Sequence, residues 1–212
     1  MKLLKNILAL TLAIISINAC SSSENPNGEK DNSLKSDLMS SGELTVESQA
    51  DTLVIKQTDN TDDSYITSVK TGDNEYTITV KSESQNSEIS MVYENKSLIP
   101  SKATFKGKRQ ILSGDITNYN EAEKTFDISW KEEDGTETLA FSGVKLNNEI
   151  DFSKYKSLDE ETYQLKIMVN TSVISDSINA YIEENPMPRG WGLFFKIVWI
   201  IVSVIAIAIS NA

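Results

Sequence analysis

The sequence predicts a mainly-β fold: a single antiparallel, meander-type β-sandwich or open barrel, with a short C-terminal helix and a hydrophobic C-terminal segment. Apolar and polar residues alternate with a period of two over most of residues 43–170, as in strands that bury one face. Turn-forming pairs such as Asp134-Gly135 separate the alternating runs. No repeat of fixed period stands out, which favours one β domain over an array.

Ten segments have strand character, and they predict roughly eight to ten strands joined by sequence-adjacent hairpins. The segments are 43–48, 51–57, 64–70, 76–81, 88–94, 103–108, 111–119, 126–131, 138–146 and 163–170. Their short connections favour antiparallel pairing with one face apolar and the other wet. A sandwich and an open barrel both satisfy this pattern.

Two turn candidates predict cross-strand pairs in which large apolar side chains share a face. A turn at Asp134-Gly135 predicts the pairs Trp130–Leu139, Ile128–Phe141 and Phe126–Gly143. A turn at Gln85-Asn86 predicts the pairs Val80–Met91 and Ile78–Tyr93.

The region after the β domain changes character. Four apolar residues recur at helical spacing: Ile174, Ile178, Tyr181 and Ile182. We therefore predict that residues 171–190 form a short helix and a linker that contains Pro186 and Pro188.

Residues 191–210 are apolar or glycine except for Lys196, Ser203 and Ser210. A bilayer core requires about 20 residues of helix, so this segment is predicted to be a transmembrane helix. Two alternatives remain open: a hydrophobic element buried within the fold or between subunits, and a helix on the membrane surface.

The N-terminus carries an export signal. Lys2 and Lys5 precede an apolar run over residues 7–17, and Ala19 precedes Cys20, the only cysteine of the chain. This arrangement resembles the signal peptide and lipobox of bacterial lipoproteins. The resemblance implies that the signal is cut just before Cys20 and that this cysteine is acylated. The alternatives are an ordinary signal peptide with an incidental cysteine, and an uncleaved anchor.

By this resemblance, residues 1–19 are the signal peptide and residues 20–42 follow the lipid as a flexible tether. Serine, asparagine, glycine and charged residues dominate the tether. The predicted location is the bacterial cell envelope, with the body outside the cytoplasm and held by the membrane. The cytoplasmic membrane is favoured if residues 191–210 span it.

The composition leaves little catalytic chemistry. The chain has no histidine, and its single cysteine is assigned to lipid, so no thiol nucleophile, disulfide or zinc site is expected. Residues 59–70 fail the calcium-loop pattern at its sixth and twelfth positions. We predict no catalytic residue, no metal and no cofactor, and hence no enzymatic activity.

One segment is basic in a chain whose formal net charge is −11. Residues 96–114 contain no acid and five cations: Lys96, Lys102, Lys106, Lys108 and Arg109. These residues form a candidate patch for an anionic ligand, with a solvated basic loop as the alternative. The acidic balance of the whole chain makes nucleic acid a poor partner.

The leading functional hypothesis is a membrane-anchored envelope lipoprotein whose non-catalytic β domain binds a protein or glycan partner. The first alternative is a carrier or sensor of a lipid or other apolar ligand, which requires a cavity within the sheet. The second is an immunity-type protein that protects the cell against a membrane-active toxin.

Overall fold

The structure is a computed structural model of the 212-residue chain, and it describes residues 33–58, 64–83, 86–107, 111–147 and 150–185. All of these residues belong to one compact unit. The predicted signal peptide, Cys20 and the hydrophobic segment 191–210 lie outside the described residues. Within the described ranges, no helix combines the length and the apolar character that a membrane span requires.

The described chain is mainly β, as predicted, and its strands form one antiparallel meander in which each strand pairs with the next. The strands are β1 (Leu44–Gln49), β2 (Thr52–Gln57), β3 (Ser64–Gly72), β4 (Glu75–Ser82), β5 (Ser87–Glu94), β6 (Lys102–Lys106), β7 (Ile111–Asn120), β8 (Thr125–Glu132) and β9 (Glu137–Lys145). Among the described residues β1 does not pair with β9, so the single sheet stays open.

Nine of the ten predicted strand segments are strands, each within two residues of its predicted bounds. The reason is visible in the burial pattern, because β4, β5 and β8 bury every second residue. One face of the sheet is therefore apolar core, and the other is largely wet.

The predicted hairpin registers are partly confirmed. The confirmed pairs are Trp130–Leu139 and Ile128–Phe141. The pairs predicted from Gln85-Asn86 are wrong by two residues, since Val80 lies opposite Ile89 and Ile78 opposite Met91. A shift of two keeps every side chain on its face, so burial alone did not distinguish the two registers.

A β-bulge explains the remaining pairing error in β8 and β9. Phe126 lies opposite Val144 and not Gly143, because the register shifts between Phe126 and Ile128. Gly143 has a φ of +68°, and its N–H donates to Asp127 Oδ1 at 2.8 Å. The positive φ suits glycine. The bulge adds one residue to β9, so Val144 takes the place opposite Phe126 that was predicted for Gly143.

The segment 163–170 is helical, so the predicted tenth strand is wrong. It belongs to a 25-residue helix, Glu160–Glu184, which also replaces the short helix predicted to begin at residue 171. Asp159 caps this helix by accepting the Thr162 N–H at 2.7 Å. Residues 167–175 are all buried, so the helix lacks the polar stripe that marks an ordinary surface helix.

A second, shorter helix lies within the predicted tether. It spans Leu34–Ser40, and it is called α1; the long helix is α2. Leu34 and Leu38 are buried, so the prediction of a flexible tether is wrong for these seven residues. Two leucines one turn apart are too short a pattern to predict a helix from sequence, and tertiary packing supplies the missing stability.

The long helix packs against the apolar face of the sheet. α2 contacts β2, β3 and β4 near one edge of the sheet and β9 at the other edge. In a flat sheet β2 and β9 would lie roughly 34 Å apart, at about 4.8 Å per strand, and a 25-residue helix is about 37 Å long, so α2 can reach both edges by lying across the strands. The contacts along the helix agree, because Tyr163 near its start packs against Tyr76 of β4 and Tyr181 near its end packs against Phe141 of β9.

Candidate binding cleft

A cleft of about 740 Å³ opens beside the first two turns of α2. Its walls come from the end of β3, the β3–β4 turn, the start of β4, the loop after β5 and the segment that leads into α2. The volume lies within the range of ligand-binding clefts, about 300–1,000 Å³. Residues far apart in sequence, from Lys70 to Lys166, meet at this site.

The β3–β4 hairpin forms one wall. Its two strands end at Gly72 and begin again at Glu75, so the turn consists of Asp73 and Asn74 alone. Behind the turn, Lys70 and Tyr76 are cross-strand partners, with the Lys70 Nζ 5.9 Å from the centroid of the Tyr76 ring. This tight hairpin sets the position of the aromatic floor and of one cation.

The loop after β5 forms the second wall and carries Lys96. Asn95 and Lys96 have φ angles of 55° and 58°, and the Ser97 N–H donates to the Glu94 carbonyl at 3.0 Å. Two successive positive φ angles closed by this hydrogen bond are typical of a type I′ turn. The Asn95 N–H also donates to the Asn74 carbonyl at 2.9 Å, which joins this loop to the β3–β4 turn.

The same loop is tied to α2 from the other side. The Tyr163 hydroxyl donates to the Ser97 carbonyl at 3.0 Å, and the Asn170 amide donates to the Leu98 carbonyl. These bonds use the backbone of the loop, and they leave the Leu98 side chain 37 % exposed at the rim. Because both walls are held by hydrogen bonds, the cleft is largely preformed.

The segment before α2 completes the rim. Its tip is Leu158, whose side chain is 92 % exposed, between Ser157 and the helix cap Asp159. The Lys166 Nζ donates to the Tyr155 carbonyl at 2.7 Å, which ties α2 to the segment before it. A leucine this exposed gains nothing from the fold of the free protein, since its apolar surface stays in water.

One ion pair crosses the cleft. The Lys70 Nζ lies 3.1 Å from Glu160 Oε1; this contact raises the pKa of Lys70 and lowers the pKa of Glu160. Burial, and then the neighbouring Glu160, raise the pKa of Tyr76. Burial raises the pKa of Tyr163 to about 12. Both phenols are neutral near pH 7, and none of these groups is shifted towards the range of a general base.

Two cations of the cleft have no carboxylate partner. Lys96 makes no hydrogen bond or ion pair to the rest of the described chain, and Lys166 is bonded only to a backbone carbonyl. The lining contains three lysines and two acids, Asp73 and Glu160, in a chain of net charge −11. The lining of the cleft therefore carries a small formal excess of positive charge in an acidic protein.

The predicted basic patch is divided by the fold. Lys96 lines the cleft, whereas Lys102 and Lys106 lie on the exposed face of β6 and do not line it. Lys106 is also paired with Glu88 at 3.6 Å. Lys108 and Arg109 lie outside the described residues, as does Cys20.

The sequence pattern did not indicate the rest of the cleft. Tyr163 and Lys166 fell in a segment predicted as strand, and Leu158 is a single leucine in a polar loop, so neither pattern indicated a site. In the part of the chain that the structure describes, no cluster of histidine, cysteine or acidic side chains could hold a metal ion. Comparisons with family models, curated proteins and solved structures find no match to this chain.

Proposed function

We propose that this protein is a non-catalytic binding domain of the bacterial cell envelope, anchored by lipid at Cys20, and that it holds a protein or glycan partner in the cleft. The observation that carries the proposal is the cleft itself, preformed and bordered by exposed leucines. Exposed apolar side chains grouped around a concavity mark interaction sites, whereas scattered ones are ordinary.

The apolar rim is unusual within the described chain. Among the described residues four large apolar side chains are notably exposed, and two of them, Leu98 and Leu158, line the cleft. Their exposure has a cost in water that a partner would remove by covering them. The hydrogen bonds that hold both walls reduce the ordering cost of binding.

The carrier alternative receives less support. A carrier requires an apolar cavity against the sheet, but α2 packs on the apolar face of the sheet. Ile167 and Met168 of α2 are fully buried, and they belong to the same core as Ile78 and Met91 of the strands. For the immunity alternative, no residue of the described chain offers a specific argument.

Anchoring is tested by membrane fractionation of three proteins: the full-length chain, Cys20→Ala, and a version truncated after Gly190. We expect Cys20→Ala to be released from membranes if lipid is the only anchor, while the truncated protein stays bound. Release of the truncated protein in place of Cys20→Ala would contradict lipid anchoring at Cys20.

Binding at the cleft is tested by site-specific photo-crosslinking in intact cells. A photoreactive amino acid replaces Leu158 at the rim or, as the control, Glu133 at the exposed β8–β9 turn. We expect an adduct from position 158 that is absent from position 133 and that disappears when Leu98→Asp is added. No adduct specific to position 158, or one that Leu98→Asp leaves intact, would contradict a partner in the cleft.

A further inference from the structure

The cleft selects for a particular class of partner, and this inference rests on the proposed function. We propose that its ligand is a protein segment in which an acidic side chain lies next to an aliphatic one. The acidic group pairs with Lys96 and Lys166, and the aliphatic group covers Leu98 and Leu158.

The cations define the first half of this ligand. Lys70 is already neutralised by Glu160 at 3.1 Å, so it offers little to a further anion. Lys96 is exposed and has no partner in the described chain, and Lys166 has no carboxylate partner there. A carboxylate on the ligand supplies what both lack, whereas a cationic ligand would add to an unbalanced positive charge.

The exposed leucines define the second half. Leu158 is 92 % exposed and Leu98 is 37 % exposed, and both side chains are aliphatic. Burial of aliphatic surface is non-directional, so an aliphatic side chain of a partner suits it. Pairing an apolar anchor with a nearby charge is the usual arrangement of a protein–protein contact.

The aromatic residues of the cleft argue against a glycan. Sugars stack on aromatic rings whose faces are open to solvent. Tyr76 is only 5 % exposed, and the half-buried Tyr163 packs against it edge to face, with 5.3 Å between the ring centroids. Their hydroxyls and faces are used within the fold, so the cleft lacks an open platform for a sugar ring.

A membrane lipid is also disfavoured. The Lys70–Glu160 ion pair crosses the cleft, and Lys96 and Lys166 also line it. Burying acyl chains there would remove charged groups from water without new partners. A peptide segment places its own backbone hydrogen-bonding groups against such a surface.

Binding of defined peptides to the full-length protein in detergent tests the ligand class. The probe is a fluorescent peptide of alternating aspartate and leucine, and the two comparison peptides replace its aspartates by lysine or its leucines by serine. We expect the probe to bind at least about tenfold more tightly than either comparison peptide, and less tightly as salt is raised. Equal binding of the three peptides would overturn the inference.

Matched variants locate the effect. Lys96→Glu reverses a charge in the cleft and is expected to weaken probe binding about five- to tenfold, whereas Lys102→Glu makes the same change on the outer face of β6 and is expected to leave binding unchanged. Leu158→Ser is expected to weaken binding about tenfold, and Met39→Ser, an exposed residue that does not line the cleft, is its control. Equal effects of a variant and its control would overturn the inference.

The crosslinked segment separates failure of this inference from failure of the proposed function. If position 158 gives a cleft-specific adduct, mass spectrometry of the adduct is expected to show a peptide with acidic and aliphatic residues. A basic peptide, a glycan or a lipid in that adduct would overturn the ligand class while the cleft remains a binding site. Absence of any cleft-specific adduct would overturn the proposed function itself.

Discussion

Gly114 is predicted to stabilise the core because it makes room for a tryptophan ring. It lies on β7 opposite Trp130 of β8, whose side chain is fully buried. A Cβ atom at position 114 would lie 2.8 Å from Trp130 Cε3, 2.9 Å from Cζ3 and 3.2 Å from Ile128 Cδ1. Two of these distances are shorter than real Cβ contacts, so Gly114→Ala must displace the indole or separate the strands.

The magnitude follows from two opposing effects. Overpacking a filled core costs about 1–3 kcal/mol. Replacing glycine by alanine also restricts the unfolded chain, which offsets up to about 1 kcal/mol of that cost. With an overpacking cost in the middle of that range, about 2 kcal/mol, the expected net loss for Gly114→Ala is about 1–2 kcal/mol of unfolding free energy, or roughly 2–8 °C in melting temperature for a domain of this size.

Urea unfolding of the full-length protein in detergent, followed by circular dichroism, measures the change. The matched control is Gly72→Ala at the end of β3, where the nearest atom to a new Cβ is Glu75 Cβ at an ordinary 3.4 Å. We expect the control to be as stable as the wild type or slightly more stable. If Gly114→Ala were as stable as Gly72→Ala, the packing of Trp130 against β7 would be refuted.

Three further predictions concern α1, α2 and their contacts. The Tyr93 hydroxyl lies 2.8 Å from Thr171 Oγ1, which itself donates to a carbonyl of α2, so Tyr93 is the donor. We expect Tyr93→Phe to cost about 0.5–1.5 kcal/mol in urea unfolding and Thr171→Val about 1–3 kcal/mol, because the second change leaves a buried hydroxyl unpaired; the reverse order would contradict this. Burial raises the pKa of Tyr163 from 10.0 to about 12, so its stabilising effect is complete below pH 10 and is lost as the pH rises through about 12. Alkaline unfolding curves should therefore show a smaller loss of stability over that interval for Tyr163→Phe than for wild type, and equal losses would contradict the assignment. Leu38→Ala is expected to cost about 2–5 kcal/mol, and the exposed Leu158→Ala almost nothing; no effect of Leu38→Ala would mean that α1 is not part of the fold.

Much of the sheet was predictable because its information is local. Alternation along most strands marks the buried face, and turn-forming residues such as Asp134-Gly135 separate the strands, so nine strands were predicted within two residues of their bounds. Registers were less certain. The shift of two between β4 and β5 changes no buried face, and the bulge at Gly143 depends on a hydrogen bond to a side chain of the neighbouring strand.

The full extent of the long helix could not be predicted from the sequence, for a physical reason. The middle of α2 is buried around its whole circumference, since nine successive residues, 167–175, are buried, so it lacks the 3.6-residue polar stripe that identifies amphipathic helices. Polar residues that are normally exposed, such as Thr171 and Ser177, are buried here because they donate to carbonyls one turn earlier. Their presence made the segment resemble an irregular or alternating stretch.

By itself, the sequence determined the alternating strands and their order, because alternation and short turns depend on neighbouring residues only; the lipoprotein-like N-terminus stays a prediction. The tertiary structure alone decided that α2 packs on the apolar face of the sheet and that Lys70, Lys96 and Lys166 line one cleft. These residues are brought together by the hairpin turns and by the docking of α2, through contacts between residues distant in sequence. The exposure of Leu158 likewise has no signature in its neighbours, since it results from what the folded chain leaves uncovered.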